Sequence, residues 1–243
     1  MGLRRRFSGF RDRLGTTRAA PEAAPAQREP AAERPGRAED APRGEDVLRP
    51  RLVVGLGNPG PEYSGTRHNI GAWCIERLAA RHGGRLERDK RTWHTTIEVD
   101  GRPLHLARPR TYYNESGGPV TAELRRLHLE RSQLLVVYDE IDLPLRAIRM
   151  RPHGGHGGNN GMRSVLAAVG GNDFPRVRIG IDRPYDDGAP VRDPDRVAAW
   201  VLAKPGREER ALLDAAVEAV ADAIELAVRE GVHVAMSRLN LGA

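Results

Sequence analysis

Gln133-Leu-Leu-Val-Val-Tyr138 is the clearest buried strand in the sequence, a short apolar run with adjacent β-branched residues. Arg51-Leu-Val-Val-Gly55 is a second run of this kind, and a glycine ends it. Continuous apolar runs are typical of strands that are covered on both faces, as in the parallel sheets of α/β proteins. These two stretches therefore predict the centre of such a sheet.

The segments around this centre alternate between helical and extended patterns. The Asp100-Gly101 dipeptide between two of the strands favours a hairpin turn. The predicted helices are Asn69–Arg81, Asn114–His128, Met162–Val169 and Arg207–Glu230, and the further strands are His94–Val99, Pro103–Ala107, Leu145–Met150 and Val177–Ile181. This order predicts an α/β fold: a single three-layer domain whose mixed, mostly parallel sheet is flanked by helices. The ligand site is expected beyond the carboxyl ends of the central strands.

The first 49 residues differ in composition from the rest of the 243-residue chain. They consist largely of Arg, Ala, Pro, Glu and Gly, with few bulky apolar residues. Such a segment buries too little apolar surface to offset the entropy of ordering its backbone, so residues 1–49 are predicted to be a disordered arm and 50–243 the domain. The Arg-rich beginning of the arm leaves a transit peptide or a surface-binding role open. No apolar stretch has the length of a membrane span, and we expect a cytoplasmic protein without a membrane partner.

The chain is basic, with a formal net charge of +6 that comes almost entirely from arginine. Lys90 and Lys204 are the only lysines. A basic protein attracts polyanions, and the planar guanidinium group binds phosphate in a bidentate manner, so the charge favours a nucleic-acid partner. The single cysteine, Cys74, excludes an intrachain disulfide and is expected to be a buried residue of the first helix.

Gly55-Leu-Gly-Asn-Pro-Gly60 follows the first strand and matches the glycine pattern of dinucleotide-binding loops. That interpretation requires a helix that begins at the third glycine and an acidic residue about 20 positions later. Pro61 and Gly65 instead prolong the loop, and no suitable carboxylate follows. The glycines are better explained as a close backbone approach that presents Asn58 to a site.

Two titratable motifs lie beyond the ends of predicted strands. Thr66-Arg-His-Asn69 places His68 in a polar loop, where imidazole can transfer a proton near neutral pH. Tyr138-Asp-Glu-Ile-Asp142 places Asp139 directly after the central strand, where a carboxylate can orient an imidazole. Glu140 and Asp142 are interpreted as ordinary turn carboxylates. A divalent-metal site is the competing chemical interpretation of this acidic cluster.

The loop from His153 to Gly161 and four arginines indicate contacts to an anionic ligand. The loop's glycines permit a close approach of its backbone to a ligand, whereas they make a metal site built on His153 and His156 costly. The arginines form two pairs with a spacing of two residues, which places each pair on one face of a strand: Arg149 with Arg151, and Arg176 with Arg178. Phosphate contact and a solvated strand edge remain open for these pairs.

Together these motifs resemble the bacterial peptidyl-tRNA hydrolases. The matching stretches are Val53–Trp73, Arg108–Gly117, Leu134–Val165 and Asp173–Pro184, with weaker similarity over Ala198–Pro205. The similarity covers nearly all of the chain from Arg51 onward and leaves the arm unmatched. It implies hydrolysis of the ester that joins a peptide to tRNA, with peptidyl-tRNA as the partner and with no metal or organic cofactor.

The resemblance also implies roles for individual residues. His68 would activate water, and Asp139 would orient the imidazole of His68. Asn58 completes the expected catalytic set. Arg151 and Arg178 stand where the family contacts the 5′-phosphate region of tRNA. The expected substrate-binding set is Tyr63, Asn69, Tyr113, Asn114, Asn160, Arg151 and Arg178, in which Asn114 and Asn160, like Asn58, would hold the peptide backbone, the attacking water and the oxyanion.

The sequence departs from the family at three positions near these motifs. Tyr113 replaces the usual Met and is expected to add bulk and a hydroxyl to the peptide-binding wall. Asn159 replaces the usual His, and Arg146 replaces the usual Gly. An alternative function is therefore that of a catalytically weak or inactive relative that binds RNA, although the expected catalytic residues are all present. A monomer is the simplest expectation for this fold.

Overall fold

The computed structural model describes residues 47–241, which form helices and strands in alternation. The helices are α1 (Ile70–Arg81), α2 (Gly117–Leu127), α3 (Asn160–Val169), α4 (Pro194–Leu202), α5 (Arg207–Glu230) and α6 (Val232–Leu241). The strands are β1 (Leu52–Gly55), β2 (Glu87–Arg88), β3 (Thr92–Val99), β4 (Arg102–Pro109), β5 (Leu134–Glu140), β6 (Ile148–Arg151), β7 (Arg176–Gly180), β8 (Tyr185–Asp186) and β9 (Ala189–Pro190). Short 3₁₀ helices cover Arg67–Asn69, Tyr113–Glu115 and Arg131–Gln133.

Within the described residues, β1 to β7 form one sheet in the order β2-β3-β4-β1-β5-β7-β6, and β8 and β9 form a separate hairpin. The central neighbours β4, β1, β5 and β7 are parallel, whereas β3 and β6 run antiparallel to their partners. The predicted mixed, mostly parallel sheet is confirmed. The Asp100-Gly101 hairpin between β3 and β4 is also confirmed, with positive φ at both residues, as a two-residue turn of this type requires.

Helices cover both faces of the sheet, which confirms the three-layer architecture. Successive side chains of a strand point to opposite faces, so the apolar residues of β1 and β5 divide between two cores. Val53, Leu135 and Val137 pack in the core that contains α1, α5 and α6. Leu52, Val54, Leu134, Val136 and Tyr138 pack in the core that contains α2 and α3. Continuous apolar sequence in β1 and β5 follows directly from this two-sided burial.

Helix α1 crosses β1 at very short distance because both elements carry a glycine at the contact. A Cβ atom on Gly55 would lie 2.0 Å from the carbonyl oxygen of Gly71, and one on Gly71 would lie 2.4 Å from the carbonyl oxygen of Val137. The loop between them is long, since α1 begins only at Ile70. The amino terminus of α1 is therefore far along the chain from Gly60, which removes the basis of the dinucleotide interpretation.

Several predicted boundaries differ from the structure. Strand β5 continues to Glu140, so Asp139 is a buried strand residue and does not follow the strand as predicted. The expected strand Leu145–Met150 begins only at Ile148, because Arg146 adopts a φ of 72° in a turn. The predicted helix Asn114–His128 starts at Gly117, after a 3₁₀ turn. Asn160, predicted in a loop, is the first residue of α3.

The prediction of a disordered arm falls mostly on residues 1–46, which lie outside the described residues. From Leu48 onward the chain contacts the rest of the domain. The carbonyl oxygen of Leu48 accepts a hydrogen bond from Val232 N at 2.8 Å, and the Leu48 side chain packs against the core. Among the helices of residues 47–241, none combines the length and the apolar character needed to cross a membrane.

Candidate active site

Several of the expected site residues meet at the carboxyl ends of β1, β4 and β5. His68 lies in the 3₁₀ turn between β1 and α1, and Tyr113 lies in the turn between β4 and α2. Asp139 is the sixth of the seven residues of β5. Asn159 caps the amino terminus of α3. The location agrees with the general rule for ligand sites in open α/β sheets.

His68 and Asp139 form a direct pair. The distance between His68 Nδ1 and Asp139 Oδ2 is 2.8 Å, and the side chains are 17% and 3% exposed, respectively. A carboxylate in this position fixes the proton on Nδ1 and directs Nε2 away from β5. The partial exposure of the imidazole leaves it accessible to a water or a substrate, while the carboxylate is shielded.

Asn58 and Asn69 are clamped together across the loop that contains His68. The backbone N–H of Asn58 donates to Asn69 Oδ1 at 2.8 Å, and Asn69 Nδ2 donates to the carbonyl oxygen of Asn58 at 2.9 Å. Asn69 is buried, so its contacts in the structure are to the protein. Asn58 Oδ1 accepts a hydrogen bond from the backbone N–H of Tyr113 at 2.8 Å, which fixes the orientation of the Asn58 amide.

Tyr113 makes a contact to the pair that the sequence did not predict. Its side chain is 3% exposed, and its hydroxyl donates to Asp139 Oδ1 at 2.6 Å. Its ring stacks on the imidazole of His68, with centroids 3.5 Å apart and planes inclined by 18°. Burial and then the charge of Asp139 raise the pKa of Tyr113 well above its ordinary value.

Asn159, which from the sequence was only a departure from the family, joins the same group. Asn159 Nδ2 donates to the Tyr113 hydroxyl at 3.0 Å and to the carbonyl oxygen of Asp139 at 3.1 Å. Its Oδ1 accepts a hydrogen bond from Met162 N at the start of α3. Asparagine is preferred at helix amino termini, so the sequence could have indicated a side chain fixed by a helix cap at this position.

Asn114 and Asn160 are both exposed and line one shallow groove of about 650 Å³ beside α3. Arg163, Ser164, Ala167 and Ala168 complete the lining. Tyr63 is half-buried, and its described hydrogen bonds are those of its backbone: its carbonyl oxygen accepts from both Thr66 N and Thr66 Oγ1 at 2.9 Å. Asn114 and Asn160 therefore line the same surface. Among the described residues, no hydrogen bond of the Tyr63 side chain supports its expected role in substrate binding.

The four arginines expected on two strands have two different environments. Arg149 pairs with Arg178 and Arg151 pairs with Arg176 across β6 and β7, so all four face the same side of the sheet. Arg151 is exposed, and Arg178 is 29% exposed with a 3.4 Å contact to Glu140 Oε2. Arg176 is buried, which fits neither of the two alternatives that the sequence left open for it, phosphate contact or a solvated strand edge. The Arg176 guanidinium donates to four carbonyl oxygens, those of Gly154, Gly155, Asn172 and Phe174.

Glu140 is a buried strand residue rather than the ordinary turn carboxylate that the sequence predicted. Burial raises the pKa of Glu140, while hydrogen bonds from Asp142 N and from Arg178 act in the opposite direction. Its Oε2 accepts a hydrogen bond from Arg178 Nη1, which links the end of β5 to β7.

Arg67 anchors the turn that contains His68, a role that the sequence did not predict. Its guanidinium forms a bidentate pair with Glu209, with both distances 2.6 Å, and stacks on the ring of Trp200. It also donates to the carbonyl oxygens of Trp200 and Ala203. The contacts connect residues more than 130 positions apart, so no local sequence pattern could predict them.

The remaining chemical interpretations find little support. Over residues 47–241, no group of three or more His, Cys, Asp or Glu side chains is arranged to hold a metal ion. Cys74 is fully buried, as predicted, and burial raises the pKa of its thiol. A buried thiol of this kind is inert, because the thiolate is the nucleophilic form.

The sequence of this chain is similar to the sequences of one protein family. The family model described as "Peptidyl-tRNA hydrolase" matches residues 52–243. The peptidyl-tRNA hydrolase of Xanthomonas euvesicatoria is 42% identical over 192 residues, which cover 78% of this chain and 96% of that protein. The peptidyl-tRNA hydrolase of Aeromonas hydrophila is 40% identical over 193 residues, with coverage of 78% and 94%.

A solved structure extends the similarity to three dimensions. The crystal structure of peptidyl-tRNA hydrolase from Acinetobacter baumannii superposes with a TM-score of 0.73 at 35% identity, covering 81% of this chain and 97% of that one. The residues matched by the family model include β1, the loop with His68, β5 and α3. This chain belongs to the peptidyl-tRNA hydrolase family.

Proposed function

We propose that this protein hydrolyses the ester between a peptide and tRNA with His68 as the general base, Asp139 as its orienting carboxylate and Asn58 as a further catalytic residue. The reaction class follows from membership of the family, whose members are ester hydrolases. The observation that supports the assignment of roles is the 2.8 Å contact between His68 Nδ1 and Asp139 Oδ2. The pair lies at the carboxyl ends of central strands, where the imidazole is partly exposed.

The proposed reaction uses water as the nucleophile. His68 Nε2 removes a proton from the water as it attacks the carbonyl carbon of the ester, and Asp139 stabilises the imidazolium that forms. The tetrahedral intermediate then collapses, the bond to the ribose oxygen breaks, and that oxygen takes the proton from His68. The ribose hydroxyl is a better leaving group than an amine, so a positioned water and one base suffice without a covalent intermediate.

Amide side chains are the proposed donors to the peptide and to the oxyanion. Asn58 has its Oδ1 engaged with Tyr113 N, which turns its Nδ2 group toward other partners. Asn114 and Asn160 line one groove and can hold the peptide backbone along it. Donors of this kind contribute about a hundredfold to a thousandfold each to kcat where they contact the developing oxyanion. Contacts to the peptide backbone make the reaction indifferent to the peptide sequence.

Peptidyl-tRNA is the proposed partner, and Arg151 and Arg178 are its proposed phosphate ligands. Both lie on the same side of the sheet at the edge formed by β6 and β7, in the company of Arg149. Like charges at this spacing favour an anion that bridges them. Because tRNA is consumed and recharged where ribosomes work, we place the protein in the cytoplasm.

A monomer is proposed as the working form. Over residues 47–241, the exposed large apolar side chains are scattered over several elements, including Tyr112, Tyr185, Leu212 and Val234. Scattered apolar residues of this kind are normal on monomeric proteins. The alternative of a non-catalytic RNA-binding relative is not favoured, because such a protein has no need to keep the His68–Asp139 pair.

The test is the release of N-blocked amino acid from purified N-blocked aminoacyl-tRNA, without added metal and with a chelator. Wild-type protein is expected to release it in both conditions. His68→Ala should lower kcat/KM by at least about a hundredfold, because a general base contributes about two to four decades in rate. His233→Ala on α6, an exposed histidine remote from the site in sequence, is the matched control and should retain activity.

The outcomes separate the roles. Near-normal turnover by His68→Ala would remove His68 as the base, and loss of wild-type activity on chelation would show a metal-dependent reaction. Absence of release by wild type, together with tight tRNA binding, would favour the RNA-binding alternative.

A further inference from the structure

Tyr113 is buried, and both its backbone N–H and its hydroxyl are hydrogen-bonded to other residues of the protein. Its backbone N–H donates to Asn58 Oδ1, and its ring is packed between His68 and the start of α3. At Gly161, a Cβ atom would lie 2.4 Å from Tyr113 Cε1, so the ring occupies the space that any larger residue in α3 would need. A tyrosine in this setting acts on its neighbours in the protein.

The direction of each hydrogen bond around the Tyr113 hydroxyl follows from the cap of α3. The backbone N–H of Met162 can only donate, so the Asn159 atom that faces it at 3.0 Å is Oδ1. Asn159 Nδ2 therefore faces the Tyr113 hydroxyl, and an amide N–H can only donate. The hydroxyl accepts from Asn159 and must direct its own proton to Asp139 Oδ1 at 2.6 Å. The helix cap thus sets the polarity of the whole chain of hydrogen bonds.

These bonds leave Asp139 fixed at both carboxylate oxygens and at its backbone. Oδ1 accepts from Tyr113, Oδ2 faces His68 Nδ1, and the carbonyl oxygen accepts from Asn159 Nδ2 at 3.1 Å. The stacked ring of Tyr113 covers one face of the imidazole, which restricts rotation of the His68 ring about χ2. One residue thereby constrains both members of the pair.

We propose that Tyr113 and Asn159 are positioning residues, which hold Asp139 and His68 in the arrangement required for proton abstraction and moderate the charge that Asp139 presents to the imidazole. The inference rests on the proposed function, since it concerns the same base. It assigns Tyr113 a role in the rate of the reaction rather than in contact with the peptide.

The proton on the hydroxyl is retained under working conditions. Burial and the charge of Asp139 raise the pKa of Tyr113 well above its ordinary range, so the phenol remains a donor. The titratable groups around it are Asp139 and Tyr138 of β5 and His68 of the turn before α1. Burial also raises the pKa of Tyr138, to about 12, so the two tyrosines stay neutral together.

Tyr113→Phe tests the proposal, because it keeps the stacked ring and removes only the donor. Loss of the donor leaves Asp139 Oδ1 free to move and so misplaces the imidazole, and we expect kcat to fall about tenfold. KM should change less than about twofold if the hydroxyl does not contact substrate. Without the donor, Asp139 attracts the imidazole proton more strongly, and the acid limb of the pH profile of kcat should move up by about half a pH unit.

The neighbouring residue supplies the matched control. Tyr112 is 57% exposed, and Tyr112→Phe also removes one hydroxyl. It should leave kcat, KM and the pH profile unchanged. Asn159→Ser keeps an oxygen for the cap of α3 and lacks the amide donor, so it should reproduce part of the Tyr113→Phe effect with little loss of thermal stability.

A second measurement is independent of turnover. In NMR spectra of the full chain, the Nδ1–H proton of His68 should shift in Tyr113→Phe and remain in place in Tyr112→Phe. Unchanged kcat, pH profile and Nδ1–H resonance in Tyr113→Phe would overturn the proposal, as would an effect confined to KM. If His68→Ala retained turnover, the proposed base would be lost, yet the resonance would still show whether Tyr113 acts on the pair.

Discussion

At the scale of single residues, the site is organised by Asp139, whose two carboxylate oxygens contact different side chains. Oδ2 faces His68 Nδ1 at 2.8 Å and Oδ1 accepts from the Tyr113 hydroxyl at 2.6 Å. An ionised carboxylate accepts hydrogen bonds and donates none, so both partners present a proton to it. The imidazole is therefore held in the tautomer that keeps Nε2 free to accept a proton.

We expect Asp139→Asn to lower kcat by about three to four decades, as loss of the orienting carboxylate does in hydrolase triads. The amide has nearly the same shape, but its Nδ2 group would donate to His68 Nδ1 and force the imidazole proton onto Nε2. Hydrolysis of N-blocked aminoacyl-tRNA measures the loss, and tRNA binding by the same variant should match wild type. A variant with more than about a tenth of wild-type kcat would contradict this role.

At the scale of elements, α3 connects the site to the core through close contacts at its amino terminus. Asn159 caps the helix, and Gly161 in its first turn leaves room for the ring of Tyr113. Farther along α3, a Cβ on Gly117 of α2 would lie 2.2 Å from the carbonyl oxygen of Ser164. The two helices thus approach closely because residue 117 is a glycine.

Gly161→Ala should therefore destabilise the protein and impair the site together. The added methyl group would meet Tyr113 Cε1 at 2.4 Å, and overpacking of this kind typically costs about 1–3 kcal/mol. Displacement of the ring would also weaken its stacking on His68. Thermal unfolding and kcat measure the two effects.

Gly118→Ala in α2 is the control for this substitution. No atom lies within 4 Å of a Cβ at Gly118, so alanine should be neutral or stabilising there by up to about 1 kcal/mol. Equal melting temperatures for the two variants would show that the contact between α3 and Tyr113 is not tight.

At the scale of the whole molecule, the proposed base and the proposed phosphate ligands lie in different parts of the sheet. The His68–Asp139 pair lies at the ends of β1 and β5 near the middle of the sheet order, whereas the exposed arginines lie on β6 and β7 at one edge. The opposite edge is formed by β2, which carries Arg88. Binding of a large anion at one edge can thus hold a substrate whose reactive end reaches the central strands.

Arg178→Ala should weaken tRNA binding and reduce the slope of log K against log salt by about one unit, the amount expected for one lost phosphate contact. Arg88→Ala at the far edge removes the same charge and should leave the slope unchanged. Titration of unacylated tRNA at several salt concentrations measures both. Equal slopes for wild type and Arg178→Ala would place Arg178 outside the phosphate contact.

The sequence by itself determined the fold class, the family and the order of the main elements, but not the short strands β2, β8 and β9. Apolar runs in β1 and β5, the period of α5 and the Asp100-Gly101 turn are local patterns, because burial on a strand or a helix face repeats with the period of that element. The motifs around His68, Asp139 and Asn160 were also local, so the candidate residues could be named before any contact was known.

Only the tertiary structure decided what these residues do to one another. Tyr113 and Asp139 are 26 positions apart, and Arg67 and Glu209 are 142 apart. The burial of Arg176 among carbonyl oxygens, which removes it from phosphate contact, depends on a loop more than twenty residues earlier. Such contacts arise from the packing of distant elements, and no periodicity in the sequence records which side chains will meet.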